Sequence, residues 1–524
     1  MISQVTLGFP RPSYKTLKNQ KTMRYKHLPL LAALCLLTAC TASVPTEYTE
    51  TTEKPLVHPD YTNITIPCNI APLNFDYTME GDEFITELKG ADQTLVMKGK
   101  QTDWNIKKWH ALLDSNKGSS IEINSYVRNG KEWKKLRPTK WLVAKDSIDP
   151  YISYRIIAPS YVTYEELSIR QRCVENFEES IIYNNMLHGN NTDGQCINCH
   201  SYRNYKTDQM QFHVRQYKGG TVMINGDEVK KINLKTDSTL SAGVYPAWHP
   251  THNLIAYSTN NTGQSFHTRN SNKIEVQDLA SDLILYDPER NEVTHIENDT
   301  TEWEVFPTWS PDGKTLYYSS AHYEVTHHEM RDRDIIDGYQ RFHYNIYRKS
   351  FDPATKTFGP RELVIDADSL HMSATLPRVS PDGRYLLIGM ADYGCFHIWH
   401  KDADLYTYDL RSKRLRNIKE INSNDVESYH SWSSNGRWIL YTSRRDDGGY
   451  TRLYLAYFDK NGRAHKPFIL PQKDPNFYAD YYKSYNVPEY MVEPVTITPQ
   501  EFARHIDKEP ISATFKSQST APQK

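Results

Sequence analysis

Four segments in the second half of the chain share one design. They are Tyr245-Pro246-Ala247-Trp248-His249-Pro250, Phe306-Pro307-Thr308-Trp309-Ser310-Pro311-Asp312-Gly313, Leu376-Pro377-Arg378-Val379-Ser380-Pro381-Asp382-Gly383 and Ser431-Trp432-Ser433-Ser434-Asn435-Gly436. In such a turn, Pro presets φ, Asp or Asn bonds its own backbone, and Gly accepts positive φ, so one strand reverses into the next. Each turn precedes an apolar strand: Leu254–Tyr257, Leu316–Tyr318, Tyr385–Ile388 and Trp438–Tyr441. A third strand recurs further on, at Asp282–Asp287, Tyr344–Tyr347, Asp404–Asp409 and Leu453–Tyr457. The spacing between turns is uneven, so the loops of the units differ in length. Short strands in recurring units that cannot bury a face alone predict a β-propeller. The abundance of Tyr (37) and Trp (10) suits pleated, half-buried surfaces.

The Trp-Ser-Pro-Asp-Gly turns resemble those of the TolB-type β-propeller, and the resemblance covers roughly residues 205–490. It implies six blades. Five are visible once a degenerate unit is included at Gln211–Arg215, Thr221–Ile224 and Val229–Ile232. A sixth requires the region from Phe477 to Met491 or a strand from the N-terminal part. The expected fold is mainly β: a β-sandwich over 60–160, a short, partly helical segment over 161–208, a propeller over 209–492 and a tail over 493–524. Within the sandwich region, Ile121–Val127 alternates, and Asn129-Gly130 predicts a hairpin into Trp133. Ile106, Trp109 and Leu113 share one face of a predicted helix.

Cys196-Ile197-Asn198-Cys199-His200 is the attachment pattern of haem c, with two thiols for the porphyrin and an imidazole for the iron. On this reading Cys196 and Cys199 tether the haem and His200 is the proximal ligand. Met210 or His213 is the candidate sixth ligand, with Met186 and His188 also in range. Without a sixth ligand the iron is five-coordinate, which suits sensing or peroxide chemistry. Two other readings stand beside it: a Cys196–Cys199 disulfide, and a zinc site drawn from Cys173, Cys196, Cys199 and His200.

The N-terminus addresses the chain to the cell envelope. Met23-Arg24-Tyr25-Lys26-His27 is a basic lead, Leu28–Leu37 an apolar stretch too short to span a bilayer, and Leu37-Thr38-Ala39-Cys40 looks like a bacterial lipobox. Translation is expected to start at Met23, with a signal over 1–39, lipid on Cys40 and a Thr/Glu/Pro-rich tether over 40–59. A net charge of −2 with mixed signs points away from nucleic acid and anionic membranes as partners. The cysteines, seven in all, are too few for a disulfide scaffold.

His322, His327, His328, Glu329 and His343 form a weaker cluster in a long blade insertion, read as a solvated loop. Cys395 and His397 read as packing residues. No Gly-x-Ser-x-Gly elbow or Gly-rich phosphate loop occurs, and no catalytic acid–base pair can be named.

The whole layout resembles envelope lipoproteins of Bacteroidetes-type bacteria, which lends architecture more than activity. The expectation is an outer-membrane lipoprotein with one haem c, its propeller docking a protein or glycan partner, in electron transfer or sensing. The alternative is a haem-free scaffold with a Cys196–Cys199 disulfide.

Overall fold

The computed structural model describes residues 42–158, 166–187, 195–324 and 330–517. The leader, Cys40 and His188 lie outside the described residues, as do His327, His328 and Glu329. No described helix is long and apolar enough to cross a membrane.

The chain is mainly β, and its central body is a ring of six four-stranded antiparallel blades. The innermost strands are β1 (Cys196–Arg203), β2 (Val244–Trp248), β3 (Glu302–Trp309), β4 (Ser373–Val379), β5 (Glu427–Trp432) and β6 (Ser484–Met491). Each lies beside the next, and β6 closes the circle between β5 and β1. Blades 1 to 5 are continuous in sequence. Blade 6 is composite: β6 pairs with Tyr151–Ile157, which pairs with Ser168–Cys173 and then Glu179–Asn184. One C-terminal strand and three N-terminal strands thus complete the ring, and both sources suggested by the sequence contribute.

The repeated turn works as expected. Ser310 Oγ donates to Asp312 Oδ1 (2.6 Å) and accepts from Thr315 N (3.0 Å), and Gly313 takes φ 69°. Ser380, Asp382 and Gly383 repeat this geometry, as do Ser433, Asn435 and Gly436. The tryptophan ahead of the turn ties neighbouring blades. Trp309 Nε1 donates to Ala247 O (3.1 Å), Trp432 Nε1 to Arg378 O (3.1 Å) and Trp248 Nε1 to Ser201 Oγ (3.2 Å).

Two expectations change. The partly helical segment expected over 161–208 is largely blade: Ser168–Cys173 and Glu179–Asn184 belong to blade 6, and Cys196–Arg203 is β1. Only a single 3-10 turn, Asn185–Leu187, is helical there among the described residues. The N-terminal layer holds a seven-stranded sheet with helix α1 (Ile106–Ser115) packed on it and a separate two-stranded sheet (Val57–His58 with Asp76–Tyr77), while Tyr151–Ile157, expected in that layer, belongs to blade 6. Trp109 of α1 meets Trp141 of the sheet at 5.6 Å between ring centroids. The same apolar core runs on into Trp438, Phe458 and Ile469 of blade 5. Alternation reveals that a strand has a buried face, not what covers it.

A short helix, α2 (Arg331–Asp337), sits in the long insertion of blade 3. After β6, α3 (Pro499–Ile506), capped by Thr498, buries Phe502, Ala503 and Ile506 among residues of blades 1 and 6. The last strands, Ile511–Ser512 and Thr514–Phe515, then add in parallel to the outer edges of blades 1 and 2. Exposed edges invite pairing with other chains, and this tail covers two of them.

Candidate functional site: the axial channel

Each inner strand breaks its ladder at the axis. A register shift occurs at the same point in all six, and one residue there lies in the left-handed region: Cys199 (φ 58°), Tyr245 (50°), Phe306 (57°), Leu376 (52°), Tyr429 (41°) and Val487 (47°). For β-branched or bulky side chains this backbone is strained, and the surrounding ring must hold it. The six residues line a throat of about 40 Å³ that narrows the channel to the room of a water or two.

This ring explains the histidine of the Cys-x-x-Cys-His pattern. The residue after the left-handed position is proline in four blades (Pro246, Pro307, Pro377, Pro488) and histidine in the other two (His200, His430). His430 Nε2 reaches the carbonyls of Leu376 (2.8 Å) and Leu387 (3.1 Å), on the first and second strands of blade 4. His200 is directed at the equivalent backbone of blade 6, Val487 and Ser153. Its fit is looser, with neither ring nitrogen in normal hydrogen-bond geometry. The sequence carried a signal of this kinship: Cys199-His200-Ser201-Tyr202 parallels Tyr429-His430-Ser431-Trp432. His200 is 1% exposed, and burial, aided by the charge of Arg155, lowers its pKa to about 3. It is a neutral imidazole enclosed between blades.

A porphyrin ligated by His200 does not fit this arrangement. The imidazole is enclosed between inner strands, and the throat it borders has no space for a macrocycle. The expected sixth ligands are also placed elsewhere. Met210 is fully buried in an apolar cluster with Phe212 and Met491. His213 lies opposite Asn198 in the ladder, with Nδ1 3.2 Å from Thr221 Oγ1. Met186 is 73% exposed. All five described cysteines are free thiols, Cys196 and Cys199 among them. Among the described residues no group of three or more His, Cys, Asp and Glu side chains is placed to hold a metal ion. His322 instead pairs with Glu302 and His343 with Asp368. Cys395 approaches Val276 O, and His397 contacts Thr375 Oγ1 and Gly394 O, as packing residues do.

Above the throat, on the side where the inner strands begin, the channel opens into a cavity of about 470 Å³. Blade insertions build its walls. The long hairpin of blade 2 (Ile255–Phe266 with Ile274–Asp287) supplies Gln264, Ile274 and Val276, and blades 4 and 5 add their own loops. Phe396, Trp399, Tyr429 and Tyr450 give it aromatic surface. Three arginines face it, Arg155, Arg215 and Arg444, while no carboxylate occurs among its described lining residues. Arg155 Nη2 lies 3.3 Å from Cys196 Sγ, and neither Arg155 nor Arg215 forms an ion pair among the described residues. The Arg444 guanidinium stacks 3.4 Å from the Trp399 ring centroid. Cys196 lines this cavity, whereas Cys199 and His200 line the throat, so the motif is divided between two chambers. Burial raises the pKa of the Cys199 thiol.

No family model matches the chain, and no curated protein does. Solved structures resemble it only distantly. Tricorn protease is 13% identical with a TM-score of 0.33, over 67% of this chain and 34% of that one. Cobalt-substituted Synechocystis ACO is 11% identical with a TM-score of 0.37, over 82% and 98%. The GH74 enzyme of Niastella koreensis is 13% identical with a TM-score of 0.36, over 58% and 43%. The chain spans about a third of tricorn protease and about half of the similar puromycin hydrolase. The class defined by the chain's own strands is a closed, six-bladed β-propeller with a composite final blade.

Proposed function

We propose that this protein is a ligand-binding β-propeller of the cell envelope that takes an anionic ligand into the mouth of its axial channel. One observation carries the reading: half-buried Arg155 and exposed Arg215 stand at a partly aromatic cavity that has no carboxylate among its described lining residues. Two guanidinium groups at the rim of one cavity make a positive mouth that attracts an anion. The cavity falls in the size range of small-molecule sites, and guanidinium groups suit carboxylate, sulfate and phosphate. Leu28–Leu37 and Cys40 support an outer-membrane lipid anchor. The loops around the mouth offer a surface to a protein or glycan partner.

The test is isothermal titration with a panel of carboxylated, sulfated and phosphorylated ligands, each beside its uncharged analogue. Binding limited to the anions, weakening with salt and falling at least tenfold in Arg155→Ala/Arg215→Ala, supports the reading. Equal binding of the uncharged analogues overturns it.

A covalent haem c is a second proposal, favoured by two free thiols, Cys196 at the mouth and Cys199 in the throat. It requires His200 to leave its place between blades 1 and 6. A reduced pyridine haemochrome spectrum, beside a Cys196→Ala/Cys199→Ala control, decides it.

A further inference from the structure

We infer that the ligand of the mouth is a flat, largely apolar molecule bearing two carboxylates, of the class of the dicarboxylate tetrapyrroles, held by its acids and ring faces and not through His200. The inference rests on the anion-binding reading above and names its ligand class.

Three features of the cavity carry it. First, positive charge comes from separate elements: Arg155 from the second strand of blade 6 and Arg215 from the second strand of blade 1, with Arg444 following the second strand of blade 5. Such a spread suits a ligand with more than one acidic group better than a single small oxyanion, which one guanidinium can hold by itself. Second, the walls between the arginines are aromatic and apolar, with Phe396, Trp399, Tyr429 and Ile398 in the lining. Such surfaces stack against a flat ring system and gain from removing it from water. Third, Cys196 opens onto this cavity while His200 is turned into the blade interface, so the motif presents a thiol but no imidazole to whatever binds. A small inorganic anion leaves the aromatic walls unused, and a neutral flat ligand leaves the positive charge of Arg155 and Arg215 unused.

The experiment uses metal-free protoporphyrin IX, which needs no axial ligand, and its dimethyl ester, in which both charges are removed. Binding to the folded, mature protein is followed by quenching of tryptophan fluorescence, with simple anions as competitors. The expected result is saturable binding of protoporphyrin IX, at least tenfold weaker binding of the ester, and a similar loss in Arg155→Ala/Arg215→Ala. His200→Pro should retain binding. Equal binding of acid and ester overturns the inference, as does loss of binding in His200→Pro with an unchanged thermal midpoint. If simple anions bind the mouth but protoporphyrin IX does not, the inference falls and the anion-binding function stands. If neither binds, both fall. The comparison of acid with ester on the unmodified protein remains decisive even where an arginine variant fails to fold.

Discussion

Glu304, on β3 beside Trp303, is an acid that the fold holds neutral. Its side chain is completely enclosed, and neither carboxylate oxygen has a hydrogen-bond partner. Burial, together with Glu297, Asp282, Glu302 and Asp299 nearby, raises its pKa from 4.5 to about 9. In the unfolded chain the group ionises near its ordinary value, so from that pH upward the unfolded state is favoured by the released proton. The contribution of this group to stability is intact below about pH 4.5 and is lost progressively until the pH passes the folded pKa near 9. At about 1.4 kcal/mol per pH unit, the loss at pH 7 is roughly 3 kcal/mol. Glu304→Gln keeps the shape and removes the titration. We expect the variant to be more stable than the parent by roughly 3 kcal/mol at pH 7, a large effect for one residue. The advantage should shrink toward pH 5.5 and grow toward pH 8.5. Urea unfolding of both proteins across that window measures it. A difference that does not change with pH refutes the reasoning, because a packing effect of the amide has no reason to titrate.

Four enclosed histidines act in the opposite direction: His200, His213, His397 and His430 each have a pKa lowered to about 3, with burial the leading cause. A base depressed in the fold stabilises above its unfolded pKa of about 6.5 and loses that contribution as the pH falls. Stability should therefore drop steeply below pH 6. His200→Pro should remain folded, as proline fills the equivalent place in four blades, and should lessen the acid sensitivity by about one proton's slope, read from unfolding at pH 4.5 to 6.5. Trp432→Phe removes the indole bond to Arg378 O and should lower stability by about 1–2 kcal/mol, seen in the thermal midpoint. Ending the chain after Pro510 uncovers the outer edges of blades 1 and 2, and light scattering should then detect self-association that the full chain lacks.

The cysteine motif shows how one sequence pattern can carry two readings. Cys-x-x-Cys-His is rare enough by composition to suggest chemistry, yet His200 occupies a position defined by the repeat. The kinship with Tyr429-His430-Ser431-Trp432 was present in the text but hidden, because the repeat is recognised by its turn and β1 lacks the Trp-Ser-Pro-Asp-Gly form. Arg155, Arg215 and Arg444 had no local signal at all. They come from three blades and share no motif.

The sequence by itself determined the strands, the tight turns and the propeller class, because those follow from local causes: proline and glycine dihedrals, Asp and Ser bonds to nearby backbone, and alternating apolar residues. It also indicated that a sixth blade must be completed from outside the repeat. Only the tertiary structure decided that the N-terminal strands close the ring around β6, that His200 faces a blade interface, and that three distant arginines share one cavity. The physical reason is the circular arrangement itself. Residues that meet at the axis or at the ring's closure are far apart along the chain, so no local preference records their meeting.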